Sequence, residues 1–366
     1  MKPVITEEVK TNCRQFNGYK PCSHHKKTSA HCSTCTAYDP IGPRILLIKT
    51  GAAGEVLRNT PLLARIKKLY PNAEVHWLTK FPDLVPQSVD KIYPFTWESV
   101  ELLAVQEFDL VLSLDKEPAE CALATRLKAK EKRGFILNSQ GRIIPAQPSS
   151  ERKWQTGVFD DLMKSNRKHY VQELFEICGW DYEGETYQID PPAPWNSPLP
   201  AGSPLIGLNT GAGKVWTTRI WPESSYEKLI CILQQKTSAG IVLLGGPEET
   251  ERNERLAQKT GVTFPGVRPL REFLSLVNTC DTIVTSVTMT LHIAIALKKK
   301  TLLLNSIFPS NEFHLYGLGE ILEPHLPCQS CYKPRFDAHC PTPNCMDKIQ
   351  PEHIFEALCR QNHRLR

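Results

Sequence analysis

The chain has 366 residues, of which 41% are hydrophobic and 23% charged, and its formal net charge is +5. This length is enough for two buried cores, and the composition argues against a disordered or fibrous protein. Basic residues are interleaved with acidic ones and form no long run, so we expect no nucleic-acid partner. The small positive excess suits an anionic substrate or a transient association with the inner-membrane surface.

The sequence indicates a cytoplasmic protein. Residues 1–12 lack the apolar segment of a secretory signal, and no stretch approaches the ~20 apolar residues of a membrane span. Cytosolic thiols are normally reduced, so the 13 cysteines predict core residues or metal ligands and not disulfides. Five of them lie in helical or strand contexts and are expected in the core: Cys121, Cys178, Cys231, Cys280 and Cys359.

The other eight cysteines form two quartets. The N-terminal quartet is Cys13, Cys22, Cys32 and Cys35, in a polar extension over 1–42 that lacks helical or strand periodicity. The C-terminal quartet is Cys328, Cys331, Cys340 and Cys345, in a proline-rich segment over 327–350. Four thiolates that include one tight Cys-x-x-Cys pair can close a tetrahedral site with no position left for substrate.

We therefore expect a structural metal at these four-cysteine sites. Sulfur-rich tetrahedral sites suit zinc and iron alike. At the N-terminal quartet an iron–sulfur cluster is an alternative, and one of the nearby His24, His25 and His31 is an alternative ligand to a thiolate.

Between the quartets, the chain alternates strands and helices. A glycine turn at 51–54 follows the first apolar run, and a helical pattern covers 56–69. This alternation predicts a parallel sheet covered on both faces, in a Rossmann-like domain over 43–190. The strands predicted in this half are 44–49, 74–79, 108–114 and 133–137.

A proline-rich stretch over 191–204 excludes helix interior and central strand, and so indicates a linker. The alternation then restarts in a second Rossmann-like domain over 205–326, and a last amphipathic helix at 351–360 lies in the terminal segment 351–366. The predicted strands here are 205–209, 240–244 and 281–285, and the predicted helices are 224–236, 248–259 and one that contains His292. The fold class is α/β with two doubly wound domains.

The first turn between a strand and a helix, in ILLIKTGAAGEVLRNTPLL, contains Gly51, Gly54, Glu55 and Arg58. Glycines let a ligand approach the backbone, and a helix start presents free N–H groups to anions. Two glycines do not make the dinucleotide-binding fingerprint. Glu55 fits two roles, a general base and a charge that complements the helix N-terminus.

The segment LNTGAGKVWTTRIWP, over 208–222, is the matching turn of the second half. It offers Thr210, Gly211, Lys214 and Arg219 near the carboxyl edge of the predicted sheet. Hydroxyls, glycine amides and cations suit a diphosphate whose charge grows as it leaves. The alternative is an ordinary surface loop with basic residues.

These motifs resemble glycosyltransferase family 9, the ADP-heptose:lipopolysaccharide heptosyltransferases, over 44–360. The resemblance implies two Rossmann-like domains that face a cleft (GT-B type), with acceptor on the N-terminal half and nucleotide sugar on the other. Glu55 stands where the family usually has Asp, which implies the base for the acceptor hydroxyl. Arg219 matches a cation that contacts the donor phosphates, with Lys214 as a second candidate.

The resemblance extends to two later turns. Glu249 follows Gly245-Gly246-Pro247, where the family has an acidic residue that accepts from ribose hydroxyls. Thr288 and His292 match donor-facing residues, but Val287 and Met289 replace the family's Asp and Gly. A solvated helix start for Glu249 and a core position for His292 are the alternatives. The C-terminal quartet resembles an iron site in relatives that glycosylate autotransporter proteins.

The resemblance implies an inverting enzyme that transfers a sugar, heptose foremost, from an ADP-sugar to a hydroxyl of a lipopolysaccharide-type glycan or glycolipid. Glu55 would deprotonate the acceptor, and Arg219 and Lys214 would stabilise the diphosphate, so no catalytic metal is expected. One alternative is a heptosyltransferase that modifies a protein of the autotransporter type. Another is a non-catalytic scaffold whose cysteine clusters bind a partner, which the departures at Glu55 and Val287 favour.

Overall fold

A computed structural model describes residues 8–200, 204–213, 215–341 and 344–365. They form two open sheets with helices, as the alternation of strands and helices predicts. The first sheet has the strand order β3-β2-β1-β4-β5-β6. Its strands are β1 Arg44–Ile48, β2 Glu74–Thr79, β3 Lys91–Pro94, β4 Glu107–Ser113, β5 Lys128–Leu137 and β6 Ile143–Pro145.

The first half also contains eight α-helices among its described residues. They are α1 Ser23–Thr28, α2 Ala53–Asn59, α3 Pro61–Leu69, α4 Trp97–Ala104, α5 Pro118–Arg126, α6 Glu151–Gln155, α7 Asp160–Ser165 and α8 Tyr170–Ile177. The single helix predicted over 56–69 is wrong, because Pro61 lacks an N–H and begins a new helix. The prediction of an all-parallel first sheet is wrong at one edge, where β6 pairs antiparallel with β5.

The second sheet is parallel throughout and has the order β11-β10-β9-β7-β8. Its central strands are fully buried, as expected of parallel strands covered on both faces. The strands are β7 Leu205–Asn209, β8 Gly240–Leu244, β9 Thr282–Ser286, β10 Lys300–Leu304 and β11 Gly319–Leu322. The helices are α9 Glu223–Lys236, α10 Thr250–Thr260, α11 Leu270–Thr279, α12 Met289–Ala296 and α13 Pro351–Gln361.

The two sheets share a continuous buried core. Val56 and Leu57 of α2 belong to the same apolar cluster as Leu291 and Ile295 of α12. Because α2 follows β1 and α12 follows β9, the core brings together the turns after two central strands. The described residues between α8 and β7 contain no helix or strand. The linker over 191–204 and the bounds of the two domains stay predictions.

The N-terminal extension differs from the rest of the chain in having no core of its own. None of residues 8–43, all of which are described, is buried. Arg14 attaches the extension to the first sheet by donating to the Asp90 carboxylate at 2.8 Å and to the Asn72 carbonyl at 3.1 Å. Among the described helices, none is both long and apolar enough to cross a lipid bilayer.

Candidate active site

Glu55 lies in the first turn of α2, immediately after the loop that follows β1. Its carboxylate accepts a hydrogen bond from Arg58 at 2.9 Å and lies 3.5 Å from the Lys49 amine. About 30% of its side chain is exposed, and it lines a cavity of about 690 Å³ in the first half of the chain. A carboxylate is therefore open to a ligand in this cavity.

The charge state of Glu55 follows from these neighbours. Burial alone would raise the pKa of a carboxyl group, but here Arg58 and Lys49 outweigh burial and hold the pKa of Glu55 well below its usual range. Lys49 responds in the opposite sense. Burial is outweighed by Tyr170 and by the Glu55 and Asp115 carboxylates, so its pKa is raised. Both groups are charged at neutral pH.

Lys49 and Asp115 were not identified from the sequence, and they form the floor of this site. Lys49 donates to Asp115 at 2.7 Å, and the Thr50 N–H donates to the other carboxylate oxygen. Lys49 directly follows β1 and Asp115 follows β4, which neighbour each other in the sheet. Ligands bind at the carboxyl ends of parallel strands, and that rule could have identified the pair.

Three further lysines line the same cavity, namely Lys80, Lys116 and Lys153. Burial, together with the charge of Lys153, lowers the pKa of Lys116 to about 8. Glu117 and Glu120 also line the cavity, so it contains both charge signs. These lysines are suited to an anionic ligand.

A second cavity, of about 430 Å³, lies at the carboxyl edge of the second sheet. Four residues predicted to bind the donor line it: Gly211, Arg219, Glu249 and Thr288. Its size falls in the range typical of small-ligand sites. Phe81 lines both cavities, so the two adjoin.

The predicted donor residues in this cavity have definite partners. Arg219 donates to the Ala212 carbonyl at 2.9 and 3.2 Å, and burial lowers its pKa to about 10, so it is charged at neutral pH. Glu249 accepts from the Gly246 N–H at 2.9 Å. A Cβ at Gly211 would lie 2.9 Å from the Glu249 carboxyl carbon, which explains the glycine there. Thr288 caps α12.

Two predicted donor residues lie outside the cavity lining. Thr210 is buried, and its hydroxyl donates to Asn253 at 2.6 Å. His292 is buried between α12 and α2 and stacks on Tyr187, with the phenol oxygen 3.4 Å from its Nδ1. Burial, reinforced by the charge of Arg58, lowers the pKa of His292 to about 3. Lys214 lies outside the described residues.

The three residues predicted for the acceptor or phosphate loop occupy different positions around Glu55. Gly51 lines the larger cavity. Gly54 packs against His292, where a Cβ would come within 2.4 Å of the imidazole Cδ2. Arg58 is buried, and its guanidinium joins Glu55 to Glu312, 3.0 Å away. Glu312 was also missed in the sequence, since it is distant along the chain.

Each cysteine quartet lines a single cavity. The N-terminal cavity, of about 260 Å³, also has His24, His25 and His31 in its wall, and the C-terminal one measures about 80 Å³. Within the described ranges, no group of three or more His, Cys, Asp or Glu side chains is placed so that it could hold a metal. The four thiols around each cavity are nevertheless ligands that zinc and iron both bind. Of the five cysteines expected in the core, four are buried, but Cys231 is exposed on α9, so the prediction is wrong for Cys231.

Comparison with known proteins decides the family. The family model for glycosyltransferase family 9 (heptosyltransferase) matches residues 97–306. The chain belongs to this family. The match includes every residue that lines the smaller cavity except Phe81, and it begins after the turn that contains Glu55.

Full-length similarities agree with that membership. The glycosyltransferase is 23% identical to lipopolysaccharide heptosyltransferase 1 of Pseudomonas aeruginosa, over 86% of this chain and 97% of the relative. Its fold resembles the E. coli heptosyltransferase WaaC with ADP-2-deoxy-2-fluoro heptose, with a TM-score of 0.60, 17% identity and coverage of 87% and 100% of the two chains. It also resembles the iron-containing dodecameric glycosyltransferase TibC of enterotoxigenic E. coli, with a TM-score of 0.56, 16% identity and coverage of 89% and 77%. The GT-B-like α/β fold is thus confirmed.

Proposed function

We propose that this enzyme transfers heptose from ADP-heptose to a hydroxyl of a lipopolysaccharide-type acceptor, with inversion at the anomeric carbon. The observation that carries the proposal is the position of Glu55. An ionised carboxylate lines one cavity, and a second cavity of nucleotide-sugar size adjoins it through Phe81. Relatives named as lipopolysaccharide heptosyltransferases support the choice of sugar and acceptor.

The larger cavity, which Glu55 lines, supports the acceptor half of the proposal. An acceptor hydroxyl placed beside Glu55 can lose its proton to the carboxylate as its oxygen attacks the anomeric carbon. The lysines around the cavity suit the anionic groups of a glycolipid core. Such an acceptor is presented at a membrane, so we place the reaction in the cytoplasm, with transient association at the inner-membrane surface.

The smaller cavity, which Arg219 and Glu249 line, supports the donor half of the proposal. The diphosphate leaves with growing negative charge, and Arg219 lies in the cavity wall as a cation. Arg219, with Lys214 as the second cation, stabilises that charge. Glu249 is suited to accept from ribose hydroxyls, and the reaction is assigned to these side chains without a catalytic metal. Val287 is buried where the family has Asp, so the sugar lacks that contact.

Binding of the donor is tested first. A panel of ADP-, GDP-, UDP- and CMP-linked sugars should raise the melting temperature only with ADP-heptose, since a ligand that binds the folded state stabilises it. If no nucleotide sugar of the panel raises the melting temperature, the non-catalytic scaffold is favoured. Labelled heptose is then followed into lipopolysaccharide core or into protein.

Glu55→Gln tests the base. We expect kcat to fall by about 10²- to 10⁴-fold, because the amide cannot accept the proton, while ADP-heptose still binds. Glu98→Gln is the matched control, since Glu98 also lies in the first turn of a helix but lines neither cavity. Wild-type turnover by Glu55→Gln would refute the assignment.

A protein acceptor is the second candidate. The C-terminal cysteine quartet favours it, because the quartet resembles an iron site in relatives that glycosylate autotransporter proteins. TibC, which has a similar fold, is also an iron-containing glycosyltransferase. Incorporation of label into an autotransporter-type protein, and not into lipopolysaccharide core, would select this reading.

We also propose that the two quartets bind structural metal ions, zinc or iron, with an iron–sulfur cluster as the alternative at the N-terminal quartet. In each quartet the four cysteines line one cavity, and all of them are free thiols. Four thiolates would fill every ligand position, so these metals would hold the chain together and would leave the chemistry to the two cavities.

A further inference from the structure

A line of hydrogen bonds connects the C-terminal cysteine segment to the proposed base. The Tyr332 hydroxyl donates to one oxygen of Glu312 at 2.8 Å. The other oxygen of Glu312 accepts from Arg58 at 3.0 Å, and Arg58 donates from its second amino group to Glu55 at 2.9 Å. Tyr332 follows Cys331 directly in the sequence, so the quartet lies one residue from this network.

Arg58 is the part of the network that transmits position. Its side chain is 6% exposed, and its guanidinium lies 3.6 Å from the centroid of the Tyr170 ring. With one carboxylate on each amino group, the planar guanidinium has a fixed orientation. If Glu312 moved, Arg58 would still donate to Glu55 through one amino group. Its other amino group would lose its carboxylate partner, and the guanidinium would then be free to rotate.

Tyr332 is itself held firmly by the loop after β10. Its N–H donates to the Ile307 carbonyl at 2.9 Å, and the preceding Ser330 N–H donates to the Ser306 carbonyl at 3.2 Å. Its ring packs edge-on against Phe308, with the centroids 5.2 Å apart. These contacts hold the Tyr332 hydroxyl within hydrogen-bond distance of Glu312.

The same segment also contacts the donor side. The carbonyl of Lys333, next to Tyr332, accepts from the Thr218 hydroxyl at 2.6 Å. Thr218 precedes Arg219, which lines the donor cavity. One short stretch of chain thus contacts both the network of the base and the loop of the leaving group.

We propose that Tyr332 is a positioning residue for Glu55, acting through Glu312 and Arg58. It keeps the carboxylate oriented toward the acceptor cavity, and the segment that contains the C-terminal cysteines is therefore part of the working active site. This inference rests on the proposed function, because it assumes that Glu55 is the base.

Tyr332→Phe removes the hydroxyl and keeps the ring against Phe308. We expect kcat for heptosyl transfer to fall about 10-fold, within the ~100-fold loss that a misplacement of about 1 Å can cause. The KM for ADP-heptose should stay within about twofold of wild type, because no donor contact is changed. A general loss of structure would change both constants and the melting temperature together.

A double-mutant cycle with Glu312→Gln separates positioning from packing. If Tyr332 acts through Glu312, the double variant should be no slower than Glu312→Gln alone. Tyr38→Phe is the control, since it removes a phenolic hydroxyl that donates to Asn12 in the N-terminal extension at 3.0 Å. It should leave kcat at the wild-type value.

The possible failures are distinct. A wild-type chain that transfers heptose, with Tyr332→Phe equally fast or with losses that multiply in the double variant, would overturn the role of Tyr332 and leave the proposed function standing. A wild-type chain that transfers no heptose would refute the proposed function, and with it the role assigned to Tyr332.

Discussion

Glu55 is held in its charged form by two cations that have different second partners. Arg58 is shared with Glu312, and Lys49 is shared with Asp115. Both interactions favour the ionised carboxylate and outweigh the burial that opposes it. A carboxylate with so low a pKa stays ready to accept a proton through the whole neutral range, although strong pairing also makes it a weaker base.

Lys49→Met tests this balance through the pH dependence of kcat. In the wild type the pKa of Glu55 lies well below 4.5, so the proposed base is ionised and kcat should show no acidic loss between pH 5 and 8. Removal of a cation raises the pKa of Glu55 toward its usual value. We expect the acidic limb of the profile to move up by about one pH unit or more, as happens when a charge partner is lost, so both profiles are followed below pH 5 to the lowest pH at which the protein stays folded.

Lys80→Met is the control for that measurement. Lys80 lines the same cavity, but its ion pair is with Glu120 and not with Glu55. Whatever its effect on the rate, it should leave the acidic limb where it is in the wild type. An acidic limb at the same pH in Lys49→Met and in wild type would show that Lys49 does not set the charge state of the proposed base.

The sequence was informative about single residues where a motif is local. Glu55, Gly211 and Arg219 were predicted because each lies in a recognisable turn after a strand. Lys49, Asp115 and Glu312 were not, since their roles depend on which strands are neighbours and on how the two halves pack. His292 shows the same limit, because its position on a helix gave no indication that Gly54 would lie against it.

At the scale of elements, the contact between α2 and α12 joins the two halves. The contact is close because residue 54 has no side chain: a Cβ there would lie 2.4 Å from His292 Cδ2. Real Cβ contacts are not that short, so any larger residue must displace the His292 ring or push the helices apart. Glu55 is the next residue and would move with α2.

Gly54→Ala should therefore lower both the stability of the protein and its kcat. Overpacking of a buried contact typically costs about 1–3 kcal/mol, which for a chain of this size lowers Tm by roughly 1–4 °C. Thermal unfolding with and without ADP-heptose, together with kcat, measures both effects. In a cycle with His292→Ala, which opens space, the loss in the double variant should be smaller than the sum of the single losses. Simple additivity would argue against the clash.

The element pattern was predictable wherever burial makes an unbroken apolar run. Strands β1, β7 and β8 were found within a residue of their observed bounds. Strands β3 and β11 are short and only partly buried, so they lack that signal. Strand β10 does have an apolar run and could have been predicted. The antiparallel β6 depends on a turn at Asn138, whose side chain accepts from two backbone N–H groups.

At the scale of the whole molecule, the N-terminal extension needs a source of stability other than a core. Hydrophobic burial is the main favourable contribution to folding, and residues 8–43 contain no buried residue. What the extension does have is four thiols around one cavity, with His25 nearby. The Nδ1 of His25 is within 2.9 Å of the Ala30 carbonyl, which leaves Nε2 as the ring atom for a ligand role.

A metal at this quartet would cross-link the extension, so its loss should loosen the extension selectively. Cys32→Ser should bind about one metal ion fewer per chain than wild type, by elemental analysis of protein purified without chelators. Limited proteolysis should then cut within 8–43 while the two sheets stay intact. Zinc against iron is read from the same analysis, and an iron–sulfur cluster from visible absorption.

Cys231→Ser is the matched control, because Cys231 is an exposed free thiol on α9 and lies outside both cavities. It should keep the wild-type metal content and protease resistance. Equal metal content in Cys32→Ser and wild type, or a wild-type protein without metal, would refute the N-terminal site. Loss of about one metal ion together with selective cleavage of the extension, in Cys32→Ser and not in Cys231→Ser, would support a bound metal as the source of stability for these residues.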